Sequence, residues 1–462
     1  MARGIAGITL GAFTASSLIA LAASSSLATT PVGGQTASIA RPIARPAEAA
    51  VDAPSNVLNG TLYGGLQNSG SQNGDAIAPT QAAPTQIARA ISEPEIRSIW
   101  LDRETIVNAG SPEGLAPIFD RFYAAGINTV FVETVNAGYP IYPSSVAPEQ
   151  NPLTHGWDPL QAAIELGQDY NIEVHAWVWL FAAGNQDHNR ILGQHESYPG
   201  PLLSARPDWA GFDNRGNLII PGQNKPFLDP ANPEVRQYLL DLLSEIATHY
   251  DVDGIQFDYV RYPFQNPAGN YTFGYGTAAR EQFHQLTGVD PITLRPQNGG
   301  DPRLARLWSQ WTDFRIQQIS TFVSTAARQL RNQRPDLTLS AAVFADNTYK
   351  RQHDLQQDWE DWADQGLVDW IVLMSYANST ERFAELIRPW VLESSFHTTQ
   401  VIPGIRLLNL PTSEAFNQIQ MLRELPVNGY ALFAADNLDG EVQSMLAGVN
   451  DDVGIAIATK NE

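Results

Sequence analysis

Eight short apolar runs alternate with amphipathic segments from Ile96 onward, and this alternation constrains the fold more than any other property of the chain. The runs are Arg97–Leu101, Asn128–Thr134, Glu173–Leu180, Gly254–Val260, Leu337–Phe344, Trp370–Tyr376, Gln400–Leu407 and Gly429–Asp436. Each is rich in Val, Ile, Phe or Trp and mostly lacks a period of two. Strands covered on both faces read this way. Between them, Gly114–Ala125, Asp158–Tyr170, Pro233–Tyr250, Arg303–Asn332, Leu355–Gln365, Glu381–Leu392 and Ser413–Leu425 read as helices. Asp158-Pro159 and Asn232-Pro233 mark helix starts, a capping side chain followed by Pro at the first helical position. Eight such units predict an α/β fold, a (β/α)8 TIM barrel over residues 93–455. The rival is an open doubly wound sheet. Leu101-Asp-Arg-Glu-Thr105 after the first strand is not the Gly-rich phosphate turn such a sheet would carry.

The chain before the barrel has a different character. A short basic start, Met1-Ala-Arg3, leads into an apolar run to about Ala28 with small residues at its end, the pattern of a signal peptide or, if uncleaved, a membrane anchor. Residues 29–92 are rich in Ala, Pro, Ser, Gly, Thr and Gln and poor in aromatics. Such a segment buries too little apolar surface to order itself, so it reads as a disordered linker. The expected location is therefore outside the cytoplasm: periplasm, cell envelope or medium. With no cysteine the chain has no disulfide, lipid-modified cysteine or thiolate metal site. A net charge of −21 argues against nucleic acid and against anionic membrane surfaces. Membrane contact is expected only through an uncleaved N-terminal segment, and the oligomeric state is not legible.

In a parallel barrel the C-terminal strand ends carry the chemistry. Long inserts follow strand three (181–230) and strand four (262–300) and would build the cleft on that face. Strand two ends in Glu133, with Asn136 and Tyr142 beyond it; strand three carries His175 and Trp177. Strand four ends in Asp258, then Arg261 and Tyr262. Asp346 follows strand five, Tyr376 ends strand six, Arg406 lies on strand seven and Asp436 after strand eight. Carboxylates, an arginine and flat aromatic platforms converging on one face suit a carbohydrate. Hydrolysis of a glycosidic bond needs two carboxyl groups. Asp258 is the first of them, because a carboxylate at the end of a buried strand is costly without a purpose. Asp346 comes first as its partner, with Glu133 and Asp436 behind. Asn136, Tyr142, His175, Trp177, Arg261, Tyr262, Tyr376, Arg406 and Asp436 are the expected substrate contacts. No HExxH or clustered His/Asp spacing occurs, so neither metal nor cofactor is expected.

These motifs resemble the glycosyl-hydrolase-like 10 family of exported bacterial proteins. The matching pieces are Arg97-Ser-Ile-Trp-Leu101, Asn128-Thr-Val-Phe-Val132 with Gly138 and Tyr142-Pro-Ser144, and Val174-His-Ala-Trp177. Arg206-Pro-Asp-Trp209, Leu228-Asp-Pro-Ala-Asn-Pro-Glu-Val-Arg236 and Tyr250 through Pro263 complete the set. The resemblance implies a barrel related to amylase- and chitinase-type hydrolases, with Asp258 as its catalytic carboxylate. It also implies a polysaccharide substrate, peptidoglycan glycan strands among the choices. Relatives often carry Gln and Arg where this chain has Glu133 and Val135. Val260 stands where a chitinase-type signature ends in its acid, although Met374-Ser-Tyr376 matches the strand-six pattern of those enzymes. A direct two-carboxylate mechanism therefore ranks above a substrate-assisted one. The alternatives are a barrel that binds glycan without turnover and a hydrolase of an α-glucan or capsular polysaccharide.

Overall fold

The computed structural model describes residues 94–458, apart from 220–222, 298, 395 and 397. The expected export segment and linker lie outside the described residues. Eight parallel strands close into a barrel: β1 (Ile96–Leu101), β2 (Thr129–Asn136), β3 (Glu173–Trp179), β4 (Gly254–Asp258), β5 (Thr338–Phe344), β6 (Trp370–Met374), β7 (Gln400–Arg406) and β8 (Gly429–Phe433). Closure comes from β1, which pairs with β2 through Ser98 and Thr129 and with β8 through Ile96 and Gly429. A short antiparallel pairing, Asn136 with Tyr139, extends the top of β2. The predicted (β/α)8 barrel is thus the fold, with strand limits within a few residues of those read from the apolar runs.

Local chemistry explains the helix positions. Asp158 accepts from the backbone N–H groups of Leu160 and Gln161 at 3.1 and 3.0 Å and starts the helix Pro159–Tyr170. Asn232 does the same for Pro233–His249, and Asp301 for the 32-residue helix Pro302–Gln333. Each cap satisfies N–H groups that the first turn leaves without partners, and Pro at the first helical position has none to lose. Among the described residues no helix is long and apolar enough to cross a membrane.

The barrel interior is packed rather than hollow. Trp100 lies 5.3 Å from Phe131, 5.7 Å from Phe433 and 6.5 Å from Trp177, measured between ring centroids. Its indole N–H donates to Oε1 of Gln256 at 2.6 Å. Gly254 opens β4 where no side chain fits, since a Cβ there would meet Nδ1 of His175 at 2.4 Å. The two long inserts are ordered in their described parts. The second packs Tyr275, Ala279, Phe283 and Leu294 against Leu307, Trp311 and Phe314 of the long helix, forming a small core of its own. The first returns to the barrel through antiparallel bridges of Ala182 with Phe227 and Ala210 with Leu228.

Candidate active site

Asp258 closes β4 at the C-terminal face and is 7 % exposed. Both its oxygens accept hydrogen bonds. The Trp177 indole N–H reaches Oδ2 at 2.9 Å, and the Tyr259 backbone N–H reaches Oδ1 at 2.6 Å. Tyr259 adopts a left-handed backbone, φ +49°, which a bulky residue rarely takes unless its surroundings hold it there. The strand ends at that turn, two residues before the apolar run does. Burial pushes the Asp258 carboxyl up to about 6, against the two N–H donors and the charges of Arg261 and Lys225, which favour ionisation.

A narrow pocket opens above this carboxylate. Rings of Trp100, Trp177, Phe344, Tyr376 and Phe433 line it, together with Tyr259, Arg261, Ala342 and Met374. Tyr376 stacks on Phe433 at 5.5 Å. An apolar, aromatic wall around one carboxyl matches what a pyranose ring and its leaving oxygen require.

Glu133 faces the same interior from β2 and is 4 % exposed. Its Oε2 accepts from the Arg103 backbone N–H at 2.6 Å, and its Oε1 accepts from the Asn136 amide. Arg103 in turn donates to Asn136 Oδ1 at 3.0 Å. Burial pushes Glu133 up to about 7, against the Arg103 charge and these donors. Its charge acts on Tyr259 and on Lys225, the two residues that also sense Asp258. The strands of Glu133 and Asp258 flank β3, two strand spacings or roughly 10 Å apart, and the register sets Glu133 level with Gln256, two residues and so about 7 Å below Asp258.

The remaining expected residues divide. Trp177, Arg261 and Tyr376 line the pocket beside Asp258. Asn136 is placed on Glu133, and the charge of Arg406 acts on Tyr376. Asp436 is exposed on the rim after β8, where burial of its carboxyl and the charges of Asp102 and Glu104 push it up to about 6. Asp346 sits in a turn and pairs with Lys350 at 2.7 Å; its charge acts on Arg351 and Asp354. The placement favours Glu133 over Asp346 as the partner of Asp258.

Three residues fall away from the pocket. His175 points inward, but it pairs in register with Gly254, four residues and so about 13 Å below Asp258, and its ring stacks on Trp370 at 4.9 Å. Tyr142 is fully buried and donates to Glu245 Oε2 at 2.9 Å, anchoring the segment after β2 to the helix Pro233–His249. Tyr262 is turned under the second insert, against the groups of Asp229, Arg236 and Arg315.

Trp100, Tyr259, Phe344, Phe433 and Lys225 were not legible as site residues. Trp100, Phe344 and Phe433 lie on strands and face inward, and Tyr259 is turned toward the pocket by its left-handed backbone. Lys225 belongs to the first insert and is set by pairing: Ala183 N–H donates to Pro226 O at 2.9 Å and Leu228 N–H to Phe181 O at 2.8 Å. That places its ammonium 5.6 Å from the Trp179 ring and 5.8 Å from that of Tyr259. Among the described residues no group of three or more His, Asp or Glu side chains is arranged to hold a metal ion.

Comparison with known proteins agrees with this architecture. Residues 95–421 match the model of the family described as glycosyl hydrolase-like 10. The chain is 22 % identical over 415 residues to glycosyl hydrolase DigH of Escherichia coli O6:H1, covering 78 % of this chain and 87 % of that protein. It is 26 % identical over 196 residues to glycosyl hydrolase YngK of Bacillus subtilis, covering 39 % of this chain and 36 % of that one. Among solved structures, the PgaB (BpsB) glycoside hydrolase domain from Bordetella bronchiseptica shares the fold with a TM-score of 0.53 at 15 % identity, over 76 % of this chain and 98 % of that domain. An α-L-fucosidase isoenzyme from Paenibacillus thiaminolyticus does so with a TM-score of 0.51 at 14 % identity, over 77 % of this chain and 48 % of that one. Fold, strand-end carboxyls and sequence match converge: the chain belongs to the glycosyl hydrolase-like 10 family and is a glycoside hydrolase built on a (β/α)8 barrel.

Proposed function

We propose that the protein is exported and cleaves an N-acetylated glycan, peptidoglycan strands stripped of peptide in particular, with Asp258 and Glu133 as the two carboxyl groups. The observation that carries this reading is Asp258 itself, a buried strand-end carboxylate facing an aromatic pocket. Two carboxyls whose affinities for the proton differ divide the work. Glu133, pushed up to about 7, holds the proton that the leaving oxygen takes. Asp258, pushed up less and held by two N–H donors, is ionised and acts as nucleophile or as the base that activates water. The family, the apolar N-terminal run and the relatives named hydrolases support the wider reading.

Release of reducing ends from peptide-free peptidoglycan strands tests it, with Asp258→Asn as control and amylose as the competing substrate. The expected result is cleavage of the strands by the native protein alone. Cleavage of amylose instead would replace the substrate class. Binding of strands with no turnover by the native protein would leave a glycan-binding barrel.

A further inference from the structure

The groups around Tyr259 are unbalanced in one direction: they are donors without acceptors. Arg261 is 6 % exposed, and its guanidinium lies 4.8 Å from the Tyr259 ring, 5.0 Å from Phe264 and 5.3 Å from Phe344. Among the described residues only its Nη1 has a protein acceptor, the Tyr262 carbonyl at 2.8 Å. Lys225 shares the Tyr259 ring and makes no hydrogen bond and no ion pair within 4 Å among the described residues. The Tyr259 hydroxyl and the Trp179 indole N–H are buried and have no partner among the described residues, and their rings lie 4.3 Å apart. The oxygens of Asp258 accept from Trp177 and the Tyr259 backbone, and no hydrogen bond joins them to these groups among the described residues.

A buried Tyr259 hydroxyl and Trp179 N–H left without acceptors are costly, and two cations held on the same ring repel each other. The charges of Asp187, Asp258 and Glu133 act on Lys225, and that of Asp258 on Arg261, without contact. A chain of net charge −21 has carboxylates in excess, yet among the described residues none pairs with either cation within 4 Å. The missing partner is an acceptor-rich anion. A planar carboxylate fits a guanidinium and an ammonium side by side.

Building on the glycan-hydrolase reading above, we propose that Lys225 and Arg261, with the Tyr259 hydroxyl and the Trp179 indole, form a recognition subsite for a carboxylate on the sugar next to the cleaved bond. The substrate is then an acidic glycan, and its charge selects it over neutral N-acetylated polymers. The carboxylate comes either from an ether-linked lactyl group, as on peptide-free peptidoglycan strands, or from a uronic acid ring.

Binding separates this proposal from the hydrolytic one. The full chain carrying Asp258→Asn is titrated with peptide-free peptidoglycan oligosaccharides and with the same oligosaccharides after chemical reduction of the carboxyl to the alcohol. Hyaluronan oligosaccharides, acid and reduced, form the second arm and tell a lactyl from a uronate carboxylate. The expected result is binding of one acid form about tenfold to a hundredfold tighter than its alcohol form, with the preference lost in Lys225→Met. Equal affinity for acid and alcohol in both arms, or no binding in either, overturns the proposal without relying on any variant of the subsite. A preference that survives Lys225→Met at full strength also overturns it. Turnover by the native protein is read separately: preference without cleavage leaves the subsite standing and removes the hydrolytic reading.

Discussion

The Trp177 indole N–H and Oδ2 of Asp258 lie 2.9 Å apart across neighbouring strands, Trp177 two residues below the register partner of Asp258. A donor of fixed direction on a rigid strand orients the carboxylate and favours its charged form. Because Trp177 is also packed edge-on against Trp100 and Phe433, it has little freedom to release that bond.

Removing the donor should therefore change proton affinity more than shape. Trp177→Phe is expected to raise the Asp258 pKa by roughly one unit. If Asp258 acts ionised, the acidic limb of kcat/KM moves to higher pH, and the variant loses more activity at pH 5.5 than at pH 7. A pH–rate profile of both proteins checks the direction.

The native profile should itself be narrow. Asp258 gains activity as it ionises above about 6, and Glu133 loses it as its proton leaves above about 7. The expected bell has its maximum between these values. Activity that persists on a plateau into alkaline pH would remove Glu133 as the acid.

The two carboxyls should behave alike, and Asp346 should not. Asp258→Asn and Glu133→Gln are each expected to lower kcat by about 10²–10⁴-fold. Asp346→Asn, which breaks only the pairing with Lys350, should leave kcat within about threefold. Initial rates on one soluble glycan decide this.

Tyr142 offers the reverse signature. Glu245 also accepts from Ser144 and from Ser145, so Tyr142→Phe removes one of several donors. The expected cost is about 1 kcal/mol of stability, seen in denaturant unfolding, with kcat/KM unchanged.

Strands and helices were legible because their signals are local. A strand covered on both faces reads as an apolar run, and Asp158-Pro159 or Asn232-Pro233 carries its own start signal. A carboxylate closing a buried strand was also legible, and that marks Asp258. Depth and direction were not. His175 shares the parity of Trp177 but lies near the floor, set by its pairing with Gly254. Tyr142 and Tyr262 follow strand ends that look alike in sequence, yet the chain folds them under neighbouring elements. Lys225 lies in a segment with no period; its place depends on the bridge between Ala182 and Phe227, a contact 45 residues apart that no local pattern encodes.

That bridge divides the pocket by origin. Asp258, Glu133 and Trp177 are mounted on the closed sheet, while Lys225 arrives on an insert fastened to it by a few backbone hydrogen bonds. Exchange of residues 183–226 between related barrels could redirect which polymer is gripped and leave the cutting apparatus untouched. The insert is, in effect, an interchangeable adaptor.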